Sequence, residues 1–203
     1  MPIPSPSLTT APLVKQWLRL TPEGLFELRS GKVELGQGIS AALTQIACNA
    51  LGIKAEQIIC LAGDTRYSPD EGFTAGSQSI EVGGQAWQRV GDIVRSHFAV
   101  AAAELLNCQV SDLHLRSGAF HGPSGHQTTY HQLAHEHKVA WEHLRVDTED
   151  PLLLPIPIER DTVTRSDLWL KFTGDGFIHD RRLPDMWHAR ILRGPHPHST
   201  AAE

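Results

Sequence analysis

The feature that most constrains the fold is the run ISAALTQIACNAL, residues 39–51. Ile39, Ala42, Leu43, Ile46, Ala47, Ala50 and Leu51 recur at i, i+3, i+4, i+7, i+8, i+11 and i+12. That period lines one face of an α-helix and fits no strand. Gly52 follows as a C-cap glycine would, and Gly36-Gln37-Gly38 stands just before the first helical residue. A helix start presents unpaired N–H groups and a partial positive charge, so anionic groups bind there. Glycines let a ligand approach the backbone, and the Gln37 amide can donate and accept. A structural turn would use the same residues, so the junction alone leaves both readings open.

A second polar stretch, TAGSQSIEVGG at 74–84, also precedes a helical pattern and offers Ser77, Gln78 and Ser79. The long helix read from Val82 to Leu106 is expected to turn Ala86, Val90, Ile93, Val94, His97, Ala101 and Leu105 to the core. Two such helix starts in one small domain could converge on a ligand rich in acceptors, such as a phosphate or a pterin. Plain N-capping by Ser77 or Ser79 is the competing reading.

Strands are expected on either side of the turn Thr21-Pro22-Glu23-Gly24, with Leu25, Phe26 and Leu28 as apolar positions of the second. Val33 and Leu35 follow the Ser30-Gly31 turn. QIICLAGD at 57–64 and LHLRSG at 113–118 read as strands, and TTYHQLAHEH at 128–137 as a short helix with a Thr N-cap. The order predicts an α+β fold: a mixed sheet with helices packed on one face.

The Pro/Ser-rich residues 1–12 are expected to be a flexible extension and 13–148 the α+β domain. Pro151, Pro155 and Pro157 mark 149–168 as an extended linker. Residues 169–203 carry the strand-like MWHARIL but are too few to bury a core of their own.

A chain of 203 residues, 40% hydrophobic and 20% charged, suits a globular protein with a sizeable core. The net charge of −5 gives no basic field for nucleic acid or an anionic membrane. No run reaches the roughly 18 apolar residues of a membrane span. No signal-peptide core is present at the N-terminus, and a cytoplasmic location is expected. The 3 cysteines, Cys48, Cys60 and Cys108, form no zinc or iron–sulfur pattern and are read as free thiols of a reducing compartment.

His131 and His135 have the i, i+4 spacing of helical metal ligands, but no third ligand follows in a known pattern. These two and His121, His126, His137, His143, His196 and His198 are read as solvated, with no metal site. Glu34, Glu81, Asp64 and Asp70 are read first as turn formers or helix caps rather than acid/base groups.

Taken together, GQG at 36–38, GDT at 63–65, SPDEG at 68–72, GSQSIE at 76–81 and the PHPH tail at 195–198 form a specific pattern. Residues 31–86 resemble the molybdopterin-binding region of the xanthine dehydrogenase and aldehyde oxidase family of molybdenum hydroxylases. They look most like isoquinoline 1-oxidoreductase and nicotinate dehydrogenase large subunits. The tail KFTGDGFIHDRRLPDMWHARILRGPHPH is similar to the start of the hammerhead domain that follows this block in those proteins. It is incomplete here and has Asp185 where the family has a glycine turn.

The resemblance implies that Gly36, Gln37, Gly38, Ile39 and Ser40 line a molybdopterin cofactor, its nucleotide form unspecified. Ser77, Gln78 and Ser79 would be the second contact strip. Thr44, one helical turn beyond Ser40, is a subsidiary candidate. Family large subunits are several times longer and carry a Gly-Glu motif whose glutamate is the general base. No Gly-Glu dipeptide occurs in this sequence, so no catalytic residue is expected on it.

The implied role is a cofactor-anchoring subunit of an enzyme oxidising N-heterocycles or aldehydes with water as oxygen source. The cofactor would be shared with a large catalytic partner chain, and a 2Fe–2S subunit would belong to the same complex. Such a partner would cover the apolar Trp187, Ile191 and Leu192. A truncated remnant, or a non-catalytic assembly protein that binds no cofactor, is the alternative.

Overall fold

The protein is described by a computed structural model covering residues 5–148, 153–158, 162–173 and 184–200. It divides into two units, Met1–Arg165 and Ser166–Glu203. In the first, strands β1 (Leu18–Leu20) and β2 (Phe26–Ser30) form an antiparallel hairpin with Leu18 opposite Leu28 and Leu20 opposite Phe26. The turn closes through Thr21 N–H donating to the Leu25 carbonyl at 2.8 Å. Strand β3 (Ile58–Ala62) runs parallel to β2, with Phe26 opposite Ile58 and Ser30 opposite Ala62. Parallel neighbours need a crossover, and the predicted helix provides it.

That helix, Ile39–Leu51, buries Ile39, Leu43, Ala47, Ala50 and Leu51 and ends on Gly52 at φ 65, whose N–H reaches the Cys48 carbonyl. It is α2 in chain order, after the short α1 (Pro6–Thr10). Its main partner is α3 (Gln85–Leu106). The two backbones meet closely: a Cβ added at Gly91 would lie 2.4 Å from Ala50 Cβ. Trp17 and Trp87 pack edge to face at 5.6 Å, and Tyr130 sits among Phe26, Phe98 and Phe120. The buried Tyr130 hydroxyl donates to the Leu51 carbonyl at 2.8 Å.

A second sheet is antiparallel: β4 (His114–Arg116), β5 (Ala119–His121) and β6 (Gln127–Thr129). The sequence reading expected one sheet and missed β5 and β6, which are too short to display a period. The expected Thr cap is Thr129. Its hydroxyl accepts from Gln132 N–H at 3.2 Å and its own N–H donates to Gln132 Oε1 at 3.0 Å, a capping box.

Three expectations need correction. On α3 the buried face runs through Trp87, Phe98 and Ala102, whereas Leu105 is exposed. The alanine-rich C-terminal half carries two apolar stripes, and the larger Phe98 decides which one turns inward. Residues 1–12 are not a loose extension from Ser5 onward: Leu8 and Ala11 are buried, and Trp17 Nε1 donates to the Ala11 carbonyl at 2.7 Å. MWHARIL is no strand: Trp187, Ile191 and Leu192 are exposed, and no strand pairs with this run among the described residues.

Residues 153–158 of the proline-rich stretch belong to the first unit and are tied to it by hydrogen bonds of their backbone. Leu154 N–H donates to Ser96 Oγ at 2.9 Å, and Leu115 N–H to the Pro157 carbonyl at 3.0 Å. The second unit contains helix α4 (Asp167–Thr173).

Candidate functional site

Both polar stretches follow the carboxyl ends of the parallel pair β2 and β3, where ligands bind in open α/β sheets. The first wall is the turn 33–40. Gly36 and Gly38 have φ of 96° and 84°, the left-handed region that glycine adopts without strain. Glu34 organises this turn. Its Oε1 accepts from Gly36 N–H at 2.9 Å and Gly38 N–H at 2.8 Å, and its Oε2 accepts from Ser40 N–H at 3.2 Å.

Gln37 is also turned onto its own loop: Oε1 accepts from Leu35 N–H at 2.6 Å and Nε2 donates to the Val33 carbonyl at 3.1 Å. Arg165 Nη2 donates to the Gly36 carbonyl at 3.1 Å, and a Cβ on Gly38 would lie 2.8 Å from its guanidinium. The open anion-binding amides expected at this helix start therefore already hold a carboxylate. Thr44 Oγ1 donates to the Ser40 carbonyl at 2.8 Å. Burial pushes the nearby Cys60 thiol up, against the lowering effect of hydrogen bonds with Thr44 and Ser40.

The second wall runs from Glu71 to Ile80 and is clasped to the first by buried polar groups. The Lys32 side chain is 1% exposed; its Nζ donates to the carbonyls of Glu71 at 2.7 Å and Phe73 at 3.1 Å. Glu71 Oε2 accepts from Ser30 Oγ at 2.7 Å and Gly31 N–H at 2.8 Å. Val33 N–H donates to Thr74 Oγ1 at 2.8 Å. Sequence reasoning missed Lys32, Glu71 and Thr74; the only visible signal was a lysine just past the Ser30-Gly31 turn. Ser77 has a positive φ of 59°. Ser79–Gly84 then form a π-helical turn running into α3, a deformation frequent at functional sites.

The walls face each other across a cleft of ≈ 350 Å³, within the roughly 300–1,000 Å³ range of small-molecule sites. Gln37, Gly38 and Ile39 line it from one side, Thr74, Ser77 and Ser79 from the other. Gly36, Ser40 and Gln78 are adjacent in sequence but lie outside its lining. Leu35 and Ile80 add apolar surface and are 70% and 47% exposed. Size, neutral hydroxyls and a glycine backbone suit one edge of a polar heterocycle, so these residues fit a pterin.

The carboxylates named from the sequence behave as local structure. Asp64 is held below the usual carboxylate range by its hydrogen bonds from Arg66. Asp70 accepts from Gly72 N–H at 2.9 Å, and Glu81 is exposed. The His131 and His135 rings lie 4.7 Å apart, tilted by 41°, and His131 Nε2 meets the Pro22 carbonyl at 2.8 Å. Among the described residues no three metal-ligating side chains come together, and no helix is long and apolar enough to cross a membrane.

An α+β domain whose glycine turn and serine turn face each other beyond two parallel strands is a cofactor-cradling architecture. Residues 4–156 match the molybdopterin cofactor-binding domain, and the chain belongs to that family. Molybdopterin is thus the cofactor class of this domain.

The chain is 25% identical over 181 residues to a nicotinate dehydrogenase subunit of Pseudomonas putida, covering 89% of this chain and 15% of that protein. It is 34% identical over 96 residues to a probable xanthine dehydrogenase subunit of Bacillus subtilis, covering 47% and 13%. Among solved structures it is similar to CO dehydrogenase from Oligotropha carboxidovorans, with a TM-score of 0.53 and 25% identity over 66% of this chain and 18% of that one. The chain therefore spans less than a fifth of each of these relatives.

Proposed function

We propose that the chain holds one face of the molybdenum cofactor in a heteromeric, cytoplasmic molybdenum hydroxylase that oxidises an N-heterocycle or aldehyde, with water as oxygen source. The carrying observation is that Gln37-Gly38-Ile39 and Ser77-x-Ser79, distant in sequence, line one cleft. The name of the Pseudomonas putida relative favours an N-heterocycle.

When bound, the cofactor supplies the redox chemistry. This chain's residues bind and orient it. The Gly38 backbone allows close approach, and the Ser77 and Ser79 hydroxyls donate to acceptors on the bound group. Glu34, Gln37, Lys32 and Glu71 fix the two walls on which those contacts depend. The general base and the 2Fe–2S centre are assigned to partner chains.

Co-purification with the products of neighbouring genes tests this, with molybdenum content and pterin fluorescence as readouts. Ser77→Ala/Ser79→Ala is expected to lower cofactor occupancy about tenfold at limiting cofactor, the worth of two lost hydrogen bonds. A chain that purifies without partners, molybdenum or pterin overturns the proposal.

A further inference from the structure

Two glycines, Gly83 and Gly84, close the π-helical turn Ser79–Gly84 behind the second wall, and both are buried. Their surroundings differ. A Cβ added at Gly84 would lie 2.9 Å from Ile46 Cδ1, the tip of a flexible side chain that can rotate aside. A Cβ added at Gly83 would lie 3.0 Å from Glu71 Oε1 and 3.8 Å from Lys32 Cγ and Cε. The Glu71 carboxylate has little freedom to yield. Its Oε2 is held by Ser30 Oγ at 2.7 Å and Gly31 N–H at 2.8 Å, and the Glu71 carbonyl is held by Lys32 Nζ. Oε1 is buried and accepts no hydrogen bond among the described residues. Packing against Gly83, rather than a donor, therefore sets where this oxygen lies.

The contact reaches the cleft through the chain. Oε2 ties the carboxylate to the end of β2, and Oε1 rests on Gly83, which shares a turn with the cleft residues Ser79 and Ile80. On its other side the turn meets α2, whose first residues, Ile39 and Ala42, line the opposite wall.

We infer that Gly83 is a positioning residue of the cleft: it lets the anchored Glu71 carboxylate lie against its backbone, and so sets how far Ser79 stands from Gly38 and Ile39. The inference rests on the functional proposal only for what the cleft holds. The spacing of the walls is a property of this chain.

The test compares Gly83→Ala, Glu71→Asp and the double variant in the full ¹⁵N-labelled chain. Gly91→Ala is the control, since Gly91 packs on Ala50 at the other end of α2. In Gly83→Ala the Ser77, Ser79 and Ile80 amide resonances are expected to move. In Glu71→Asp/Gly83→Ala they should return toward wild type, because the shortened carboxylate recedes by one C–C bond, about 1.5 Å. On co-purification at limiting cofactor, occupancy per folded Gly83→Ala chain should fall about tenfold, as for Ser77→Ala/Ser79→Ala. It should recover in the double variant, while Gly91→Ala loses stability and keeps its occupancy.

A folded Gly83→Ala protein with an unmoved Ser79 amide would overturn the inference. So would a double variant no closer to wild type than the single one, or a control that loses as much occupancy. Should Gly83→Ala fail to fold, Glu71→Asp decides, since an aspartate cannot reach Ser30 and Gly83 at once. A shifted Ser79 amide then supports the inference and an unmoved one sinks it. If the wild-type complex takes up no pterin, the functional proposal falls and the resonances alone decide the positioning.

Discussion

The Lys32 ammonium and the Glu71 backbone carbonyl meet at 2.7 Å in the protein interior, one on the segment leading to the first wall and the other at the root of the second. An ammonium taken out of water is tolerated only where its donors are satisfied, and here two carbonyls accept from it. This contact and the Glu71 carboxylate on Ser30 and Gly31 together set where the serine turn stands relative to the glycine turn.

Lys32→Met keeps most of the side-chain volume but leaves the carbonyls of Glu71 and Phe73 without their donor. Unfolding in urea should show a loss of about 1–3 kcal/mol, the usual penalty for unsatisfied buried acceptors. Amide exchange at Val33 should accelerate as the Thr74 clasp loosens. Unchanged stability together with unchanged exchange would remove Lys32 from this role.

Gly91 marks a close approach of α2 and α3, because its missing Cβ is the space that Ala50 occupies. Gly91→Leu cannot be accommodated without moving one helix, and overpacking of this kind costs about 1–3 kcal/mol. The expected outcome is a lower thermal midpoint with the far-ultraviolet helix signal retained at room temperature. A neutral result would mean that the helices separate more easily than their packing implies.

The pH response of Cys60 follows from its burial. The folded state retains the thiol proton above the ordinary value of 9.0, chiefly through desolvation. The folded protein thus binds more protons than the unfolded one once the latter's thiol ionises. By linkage, the contribution is intact below pH 9 and is lost as pH rises above it. Cys60→Ser should flatten the alkaline fall in stability, and at pH 8 iodoacetamide should modify Cys60 in the folded chain far more slowly than in urea. Equal rates in the two states would show that the thiol is not shielded.

Much of the crossover was legible in the sequence. The 39–51 period, Gly52 and the turn before Phe26 are local signals, and each is satisfied by local hydrogen bonds. Of the second sheet only β4 was legible, within LHLRSG; β5 and β6 were not, since they depend on pairing with their neighbours rather than on any pattern within a strand. The α3 face was misread toward its C-terminal end, where Ala99, Ala101, Ala102 and Ala103 fall on both candidate stripes and hid the choice between them.

The site was half legible. Two polar helix starts could be seen as separate strips, and their meeting could be suggested. Glu34 was read as a turn former or cap, but the identity of the amides it caps depends on how Gly36 and Gly38 curl the backbone. Lys32 gave no periodic signal, because its partners are carbonyls on a loop whose course only the tertiary structure defines.

Val163 and Arg165 lie beyond the family match, which ends at residue 156, yet Val163 N–H donates to Gln45 Oε1 at 2.7 Å and Arg165 rests against Gly38. A gene trimmed to the matched block would encode every residue of both walls and still lack the Val163 and Arg165 contacts with Gln45, Gly36 and Gly38. Boundaries chosen by family alignment would thus yield a protein whose glycine turn is solvated on its outer side. The safer cut for expression or for grafting this cradle onto another scaffold falls after Arg165.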